Sequence, residues 1–214
     1  VKEISRNKSR IKSHLYCFGI DIPATLAQAS LHWSGRFTQW LETVQLSTCY
    51  GDIVLQSTLQ TVKHLRSELL KINRQLRALE KESKYSFKIK LLRSIPGVAL
   101  IVAVTLLSEL ETIIRFKRLD KLCSFVGLVP TTNSSGDDER VGHITRRSNK
   151  PLRSLIIEAA WIASRNDPTL AQCYIELCKR MKPNEAIVKI AKKLLNRIRY
   201  VMKNEKEYVH SVVQ

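Results

Sequence analysis

An all-α fold is the class this sequence predicts, and three observations predict it. The 214 residues include only 7 glycines and 6 prolines, so the turn formers that strands and hairpins need are scarce. Residues 52–83 contain no Gly or Pro at all. Apolar side chains recur at three- and four-residue steps through most of the chain, which is the period of one buried helix face. The expected architecture is a basic, helical, coiled-coil region over residues 1–83, followed by a compact helical domain over 84–214 with helix-hairpin-helix elements.

Each element has its own signal. Residues 2–18 read as an amphipathic helix, with Ile4, Ile11, Leu15 and Phe18 set among Lys2, Arg6, Lys8, Arg10 and Lys12. Gly19 suits a helix stop, and Pro23 opens a second helical piece that runs to Leu31. A third, over 34–46, carries Phe37, Trp40, Leu41 and Val44. The turn Cys49-Tyr50-Gly51-Asp52 separates it from a long helix over 52–83. There Leu55, Leu59, Val62, Leu65, Leu69, Ile72, Leu76 and Leu79 step by 4, 3, 3, 4, 3, 4 and 3. That narrow heptad seam with charged flanks points to a coiled coil and a homo-oligomer; a helix lying on its own domain is the alternative. The polar stretch Lys81–Lys90 is the expected domain boundary. Beyond it the spacing predicts helices over 98–110, 117–126, 151–165, 168–181 and 184–204, with a polar segment over 130–150.

Charge and composition narrow the function. Lys and Arg number 36 and Asp and Glu 19, a formal net charge of +17, so the expected partner is a polyanion. The opening residues VKEISRNKSRIKSH are polar and basic, unlike a secretory signal. The most apolar stretch, Ile95–Leu107, holds Pro96 and Gly97 and is shorter than the ~20 residues that span a bilayer. Five cysteines without a C-x-x-C pair read as reduced, buried thiols of a cytoplasmic protein rather than a zinc site or disulfide framework. A basic helical pattern already runs at Val1, which suggests that the sequence begins inside a larger protein.

Four stretches carry chemistry. In Leu92-x-x-Ile95-Pro96-Gly97-Val98, followed by Ala103, Leu106 and Leu107, a helix, a Gly turn and an apolar helix form a hairpin pattern. Its glycine and helix N-terminus would approach a phosphate; a plain packed corner is the alternative. Ala99 stands where such hairpins usually carry a second glycine. Leu122 to Pro130 repeats the apolar–Gly–apolar logic and by itself signals a packed corner. The run Thr131 to Arg140 places a Ser134-Ser135-Gly136 step before Arg140, His143, Arg146, Arg147, Lys150 and Arg153. A hydroxyl beside guanidiniums suits phosphoryl transfer to serine, since arginines stabilise charge that develops on the phosphate; a solvated loop with a basic patch is the alternative. Asp137, Asp138 and Glu139 read as solvated acids rather than a metal site. Finally, the helix over 184–204 pairs an apolar face (Ile187, Ile190, Ala191, Leu194, Leu195, Ile198, Val201) with a cationic ridge that includes Lys192, Lys193, Arg197 and Arg199.

Taken together, LRSIPGVALIVAVTLLSEL, RFKRLDKLCSFVGLVPTTNSSG, GHITRRSNKPLRSLIIEAAWIASRNDP and AKKLLNRIRYVMK resemble the C-terminal domain of the insertion-sequence transposases of the 116/110/902 group, the bridge-RNA-guided serine recombinases. SRNKSRIKSHLYCFGIDIP looks like that family's junction between a RuvC-like domain and its coiled coil. The resemblance is densest over 92–165. It implies a nucleophilic serine that forms a covalent 5′-phosphoserine link with DNA, and a structured guide RNA as a second partner. Carried onto this sequence, the serine is Ser135, with Ser134 the rival hydroxyl. Gly97, Arg140, His143, Arg146, Arg147, Lys150, Arg153, Lys192 and Lys193 are the expected nucleic-acid contacts. Ser148 stands where the family usually has Gly. No cofactor is expected in this chain; the resemblance assigns Mg2+ to four acids of a RuvC-like domain upstream of Val1, without which the chain alone is expected not to cut DNA. A non-catalytic helix-hairpin-helix binding module is the alternative reading.

Overall fold

The computed structural model describes residues 1–135, 138–145 and 147–209. Over them the fold is all-α apart from one two-stranded hairpin. The helices are α1 (Lys2–Cys17), α2 (Gly35–Thr43), α3 (Cys49–Leu79), α4 (Ser83–Arg93), α5 (Leu100–Leu110), α6 (Leu119–Val126), α7 (Lys150–Asn166), α8 (Pro168–Cys178) and α9 (Pro183–Asn204). The strands are β1 (Pro130–Ser135) and β2 (Asp138–Ile144). Packing divides the chain into two units, Val1–Gln75 and Leu76–Gln214.

In the first unit, α1 turns Ile11 and Leu15 inward, and Gly19 ends the helix region in the left-handed conformation (φ +67°). Leu26, Phe37, Leu41, Leu55, Leu59 and Val62 complete this core. Ser34 caps α2 by accepting from the Phe37 N–H at 3.3 Å. The helix expected over Pro23–Leu31 is instead two single 3-10 turns, Ala24–Leu26 and Ala29–Leu31. Only Leu26 in that stretch is buried, so there is no apolar face to hold a longer helix down. Along α3 the heptad seam divides. Leu55, Leu59 and Val62 are buried in the unit's own core, Leu65, Leu69, Leu76 and Leu79 are half-buried, and Ile72 is exposed.

The second unit is built around α9, which packs on α4, α6, α7 and α8. All seven apolar residues expected on its inner face, from Ile187 to Val201, are buried. Most of the polar stretch Lys81–Lys90 lies in α4, whose Ile89 and Leu92 enter the core with Tyr85 packed against it. Residues 85, 89 and 92 share one helix face, and the lysines between them hide that pattern. Asn149 caps α7 through the Leu152 N–H (3.1 Å) and Asp167 caps α8 through the Leu170 N–H (2.9 Å), each followed by a proline in the first turn.

The segment expected to be a polar loop over 130–150 is largely the β1–β2 hairpin. Its antiparallel register pairs Ser135 with Asp138, Ser134 with Glu139, Asn133 with Arg140 and Thr132 with Val141. Between Thr132↔Val141 and Pro130↔Ile144 one extra residue is accommodated on β2, a bulge. Gly142 lies there: a Cβ on it would stand 2.5 Å from the Thr131 Oγ1. Gly136 and Asp137, between the paired ends, lie outside the described residues.

Candidate functional site

The hairpin grows from a corner that the helices build. Helix α6 ends at Gly127, whose left-handed backbone (φ +82°) lets the N–H of Leu128 return to the Cys123 carbonyl at 2.8 Å. A side chain at 127 would collide with Ser148, which stands 2.0 Å from the Cβ position. Thr145 donates its N–H to the Val129 carbonyl at 3.0 Å, closing the base of the hairpin. Asn149 then donates to the Glu109 carboxylate at 2.6 Å, anchoring the return to α5.

Arg153 holds both legs of this base. Its guanidinium donates to the Thr145 carbonyl at 2.6 Å, after β2, and to the Gly127 carbonyl at 3.3 Å, before β1. Both bonds use the charge on backbone, so Arg153 positions the hairpin. Arg147 and Lys150 are exposed beside it, with the Arg147 backbone bridged to the Thr145 hydroxyl. The backbones of Ser134, Ser135, Arg140 and His143 lie in the two strands, and their side chains fall outside the described residues, as do those of Asp138 and Glu139. Arg146 and Asp137 also lie outside the described residues. Ser135 thus belongs to the last pair of the hairpin, a backbone position defined by register.

Other expected contacts sit elsewhere. Gly97 has φ +86°, and a Cβ there would stand 2.2 Å from the Ala159 carbonyl oxygen and 3.1 Å from the Ala163 nitrogen. Its missing side chain lets the α4–α5 turn press on α7. Ala99, by contrast, has an ordinary φ of −80° at the start of α5, where no glycine is needed. Lys193 is exposed on α9; Lys192 is half-buried and its charge acts on Cys123 of α6, whose thiol is pushed up by burial.

The cationic ridge of α9 is narrower than its sequence suggests. Arg197 pairs with buried Asp167 at 2.6 Å and lies 5.2 Å from the Tyr208 ring centroid. Arg199 donates to the Lys117 carbonyl at 2.7 Å. These side chains are engaged within the fold. A feature that sequence patterning missed is Arg115, stacked over Phe116 and Phe125 at 4.7 and 5.0 Å. The adjacent Arg115-Phe116 pair was its only local signal.

Among the described residues, no group of three or more His, Cys, Asp or Glu could hold a metal ion. Among the same residues, no helix is long and apolar enough to cross a membrane.

Residues 89–175, which include the Gly97 turn, the hairpin and α7, match a family model described as the Transposase IS116/IS110/IS902 family. A Sinorhizobium fredii protein whose name designates it a transposase, y4qE, is 28% identical over 129 residues, covering 60% of this chain and 30% of that protein. The transposase for insertion sequence element IS1111A of Coxiella burnetii is 40% identical over 68 residues, 32% of this chain and 19% of that protein. An insertion element IS110 protein of 43.6 kDa from Streptomyces coelicolor is 29% identical over 140 residues, 63% of this chain and 35% of that protein. The alignments therefore span only 19–35% of these relatives' lengths.

Proposed function

We propose, from the transposase-domain match over residues 89–175, that this chain is the serine-bearing portion of a DNA transposase. The observation that carries the reading is that the match encloses the whole β1–β2 hairpin, with Ser135 in its last pair and Arg147 and Lys150 exposed at its base. In the proposed step the Ser135 Oγ loses its proton and attacks a DNA phosphorus. An Oγ–P bond forms, the P–O3′ bond breaks, and the 3′ oxygen leaves as a hydroxyl on taking up a proton. The 5′ side stays linked to serine. Arg140, His143, Arg146, Arg147 and Lys150 would gather around the phosphate and offset its charge. Arg153 acts behind them as a positioning residue, and Gly97, Lys192 and Lys193 would meet the DNA or guide RNA away from the reacting phosphorus. The resemblance assigns Mg2+ to a separate acidic domain, and the residues described in this chain offer no cluster for it.

The test is a denaturing gel with nicked, labelled element-end DNA and guide RNA, with and without the acidic domain added in trans. A protein–DNA adduct is expected that needs the acidic domain, survives Ser134→Ala and disappears in Ser135→Ala. Salt-sensitive binding without an adduct in any mixture would instead make this chain a non-catalytic binding module.

Oligomerisation belongs to the same reading. The half-buried seam of Leu65, Leu69 and Leu76, with exposed Ile72, is the part of α3 that a second helix would cover. Light scattering of the full chain is expected to give a dimer or higher oligomer, and Leu69→Lys is expected to give a monomer with unchanged helicity by circular dichroism.

A further inference from the structure

The first unit gathers three cations with no acid among them. Lys8 and Lys12 stand one turn apart on α1, and Arg66 stands on α3. All three meet the irregular segment that carries His32 and Trp33. Lys8 Nζ lies 5.2 Å from the Trp33 ring centroid. Arg66 donates to the Trp33 carbonyl at 2.9 Å, and Lys12 Nζ lies 2.8 Å from His32 Nδ1. The ion pairs of this unit are Arg6–Glu3, Lys63–Glu42 and Lys71–Glu68, so none of the three cations has a carboxylate partner among the described residues. Burial, with the nearby charges of Arg66 and Lys12, holds the Lys8 ammonium below the usual lysine range.

Donor accounting shows what the cluster lacks. An ammonium only donates, so His32 Nδ1 accepts from Lys12, and the neutral ring carries its proton on Nε2. That Nε2 is buried and has no hydrogen-bond partner among the described residues. Two ammoniums, a guanidinium and an imidazole N–H therefore share two acceptors, Nδ1 and the Trp33 carbonyl. Trp33 is also held at φ +71°, a left-handed conformation that bulky residues avoid and that collects at functional sites. An oxyanion would supply the missing acceptors and separate the repelling cations.

We propose that Lys8, Lys12, Arg66 and His32 form an anion site for a phosphate of a nucleic-acid backbone. A backbone fits better than an isolated ion because the chain's formal net charge of +17 favours a polyanion, and Lys12 and Arg66 of the cluster are exposed to it. A lipid surface fits worse, because the apolar face of α1 (Ile4, Ile11, Leu15) is buried in the core. The proposal rests on the nucleic-acid reading above but concerns binding by the first unit, so the adduct test and this one fail separately.

The test compares the full wild-type chain with Lys8→Gln/Lys12→Gln, whose side chains make no ion pair, by fluorescence anisotropy. The probes are a DNA duplex and a single-stranded RNA of about 20 nucleotides, titrated from about 50 to 200 mM salt. Loss of one phosphate contact is expected to lower the salt slope by about 0.9 on the duplex or about 0.7 on the single strand, which is about eightfold or fivefold in affinity near 0.1 M salt. Which probe responds identifies the strand held. In a parallel titration with inorganic phosphate, the Trp33 indole and His32 ring resonances are expected to shift in the wild type and stay fixed in the variant. Unchanged affinity and slope for both probes would overturn the proposal, even if inorganic phosphate binds. Failure of the wild type to bind either probe would overturn it together with the nucleic-acid reading.

Discussion

Asp167→Ala is expected to destabilise the second unit by about 3–5 kcal/mol, the range for breaking a buried ion pair. Asp167 is 1% exposed and lies between α7 and α8. One carboxylate oxygen accepts from the Leu170 N–H at 2.9 Å; the other accepts from Arg197 at 2.6 Å and from the Tyr208 hydroxyl at 2.5 Å. Tyr208 also donates its N–H to the Ser94 hydroxyl at 2.8 Å, so the network joins the residues after α9 to the α4–α5 turn. Removing the carboxylate strands a guanidinium that is only 17% exposed, an N–H and a phenol together. The check is a urea midpoint that falls with an unchanged slope, and a loss that persists in high salt because the pair is sheltered from screening. Acid should act in the same direction. Burial pushes the Asp167 pKa up, but the Tyr208 hydroxyl, the Leu170 N–H and Arg197 outweigh it and hold the carboxyl below its usual value. The stabilisation is therefore fully present above about pH 4, the unfolded value, and is lost as pH falls through the lower native one. The wild type should weaken in that window, and Asp167→Ala should not share this component.

Gly97→Ala is expected to cost about 2–5 kcal/mol, from the left-handed backbone together with overpacking. The nearest obstacle, the Ala159 carbonyl at 2.2 Å from the Cβ position, is backbone of α7 and cannot swing aside. Gly19→Ala is the matched comparison. Its φ of +67° is similar, yet nothing lies within 4 Å of its Cβ position, so only the strain of about 1–2 kcal/mol applies. The two glycines lie in different units, so each loss is read as the fall in unfolding free energy of its own unit, and the excess at Gly97 reports the α7 contact. Near-equal losses would mean that the turn moves away from α7 at little cost.

These two sites mark where sequence patterning stopped being informative. Gly97 was legible as a special turn residue, but its phosphate and packing roles demand the same amino acid, and only the position of α7 shows the steric reason. Ser135 was legible as a candidate from its Ser-Gly step and the arginines that follow. Its place in a hairpin was harder to see, because Pro130 to Ile144 has little apolar alternation and polar residues dominate both strands. Asp167 drew no reading from the sequence, because its pairing with Arg197 joins residues 30 apart and has no local signature.

The sequence by itself determined the all-α class, the middle of α3 (though its expected leading turn, Cys49 to Asp52, is the first turn of the helix), and the buried face of α9. These follow from the spacing of apolar residues along a single helix, a local property that the side chains carry with them. The tertiary structure alone decided which cations face outward. Arg153, Arg197 and Arg199 count as positive charge in any reading of the chain. The fold commits them to partners 8 to 83 residues away, while Arg147, Lys150 and Lys193 stay exposed. The physical reason is that a buried carbonyl or carboxylate needs a donor wherever packing leaves it, and packing brings together residues that are far apart in sequence.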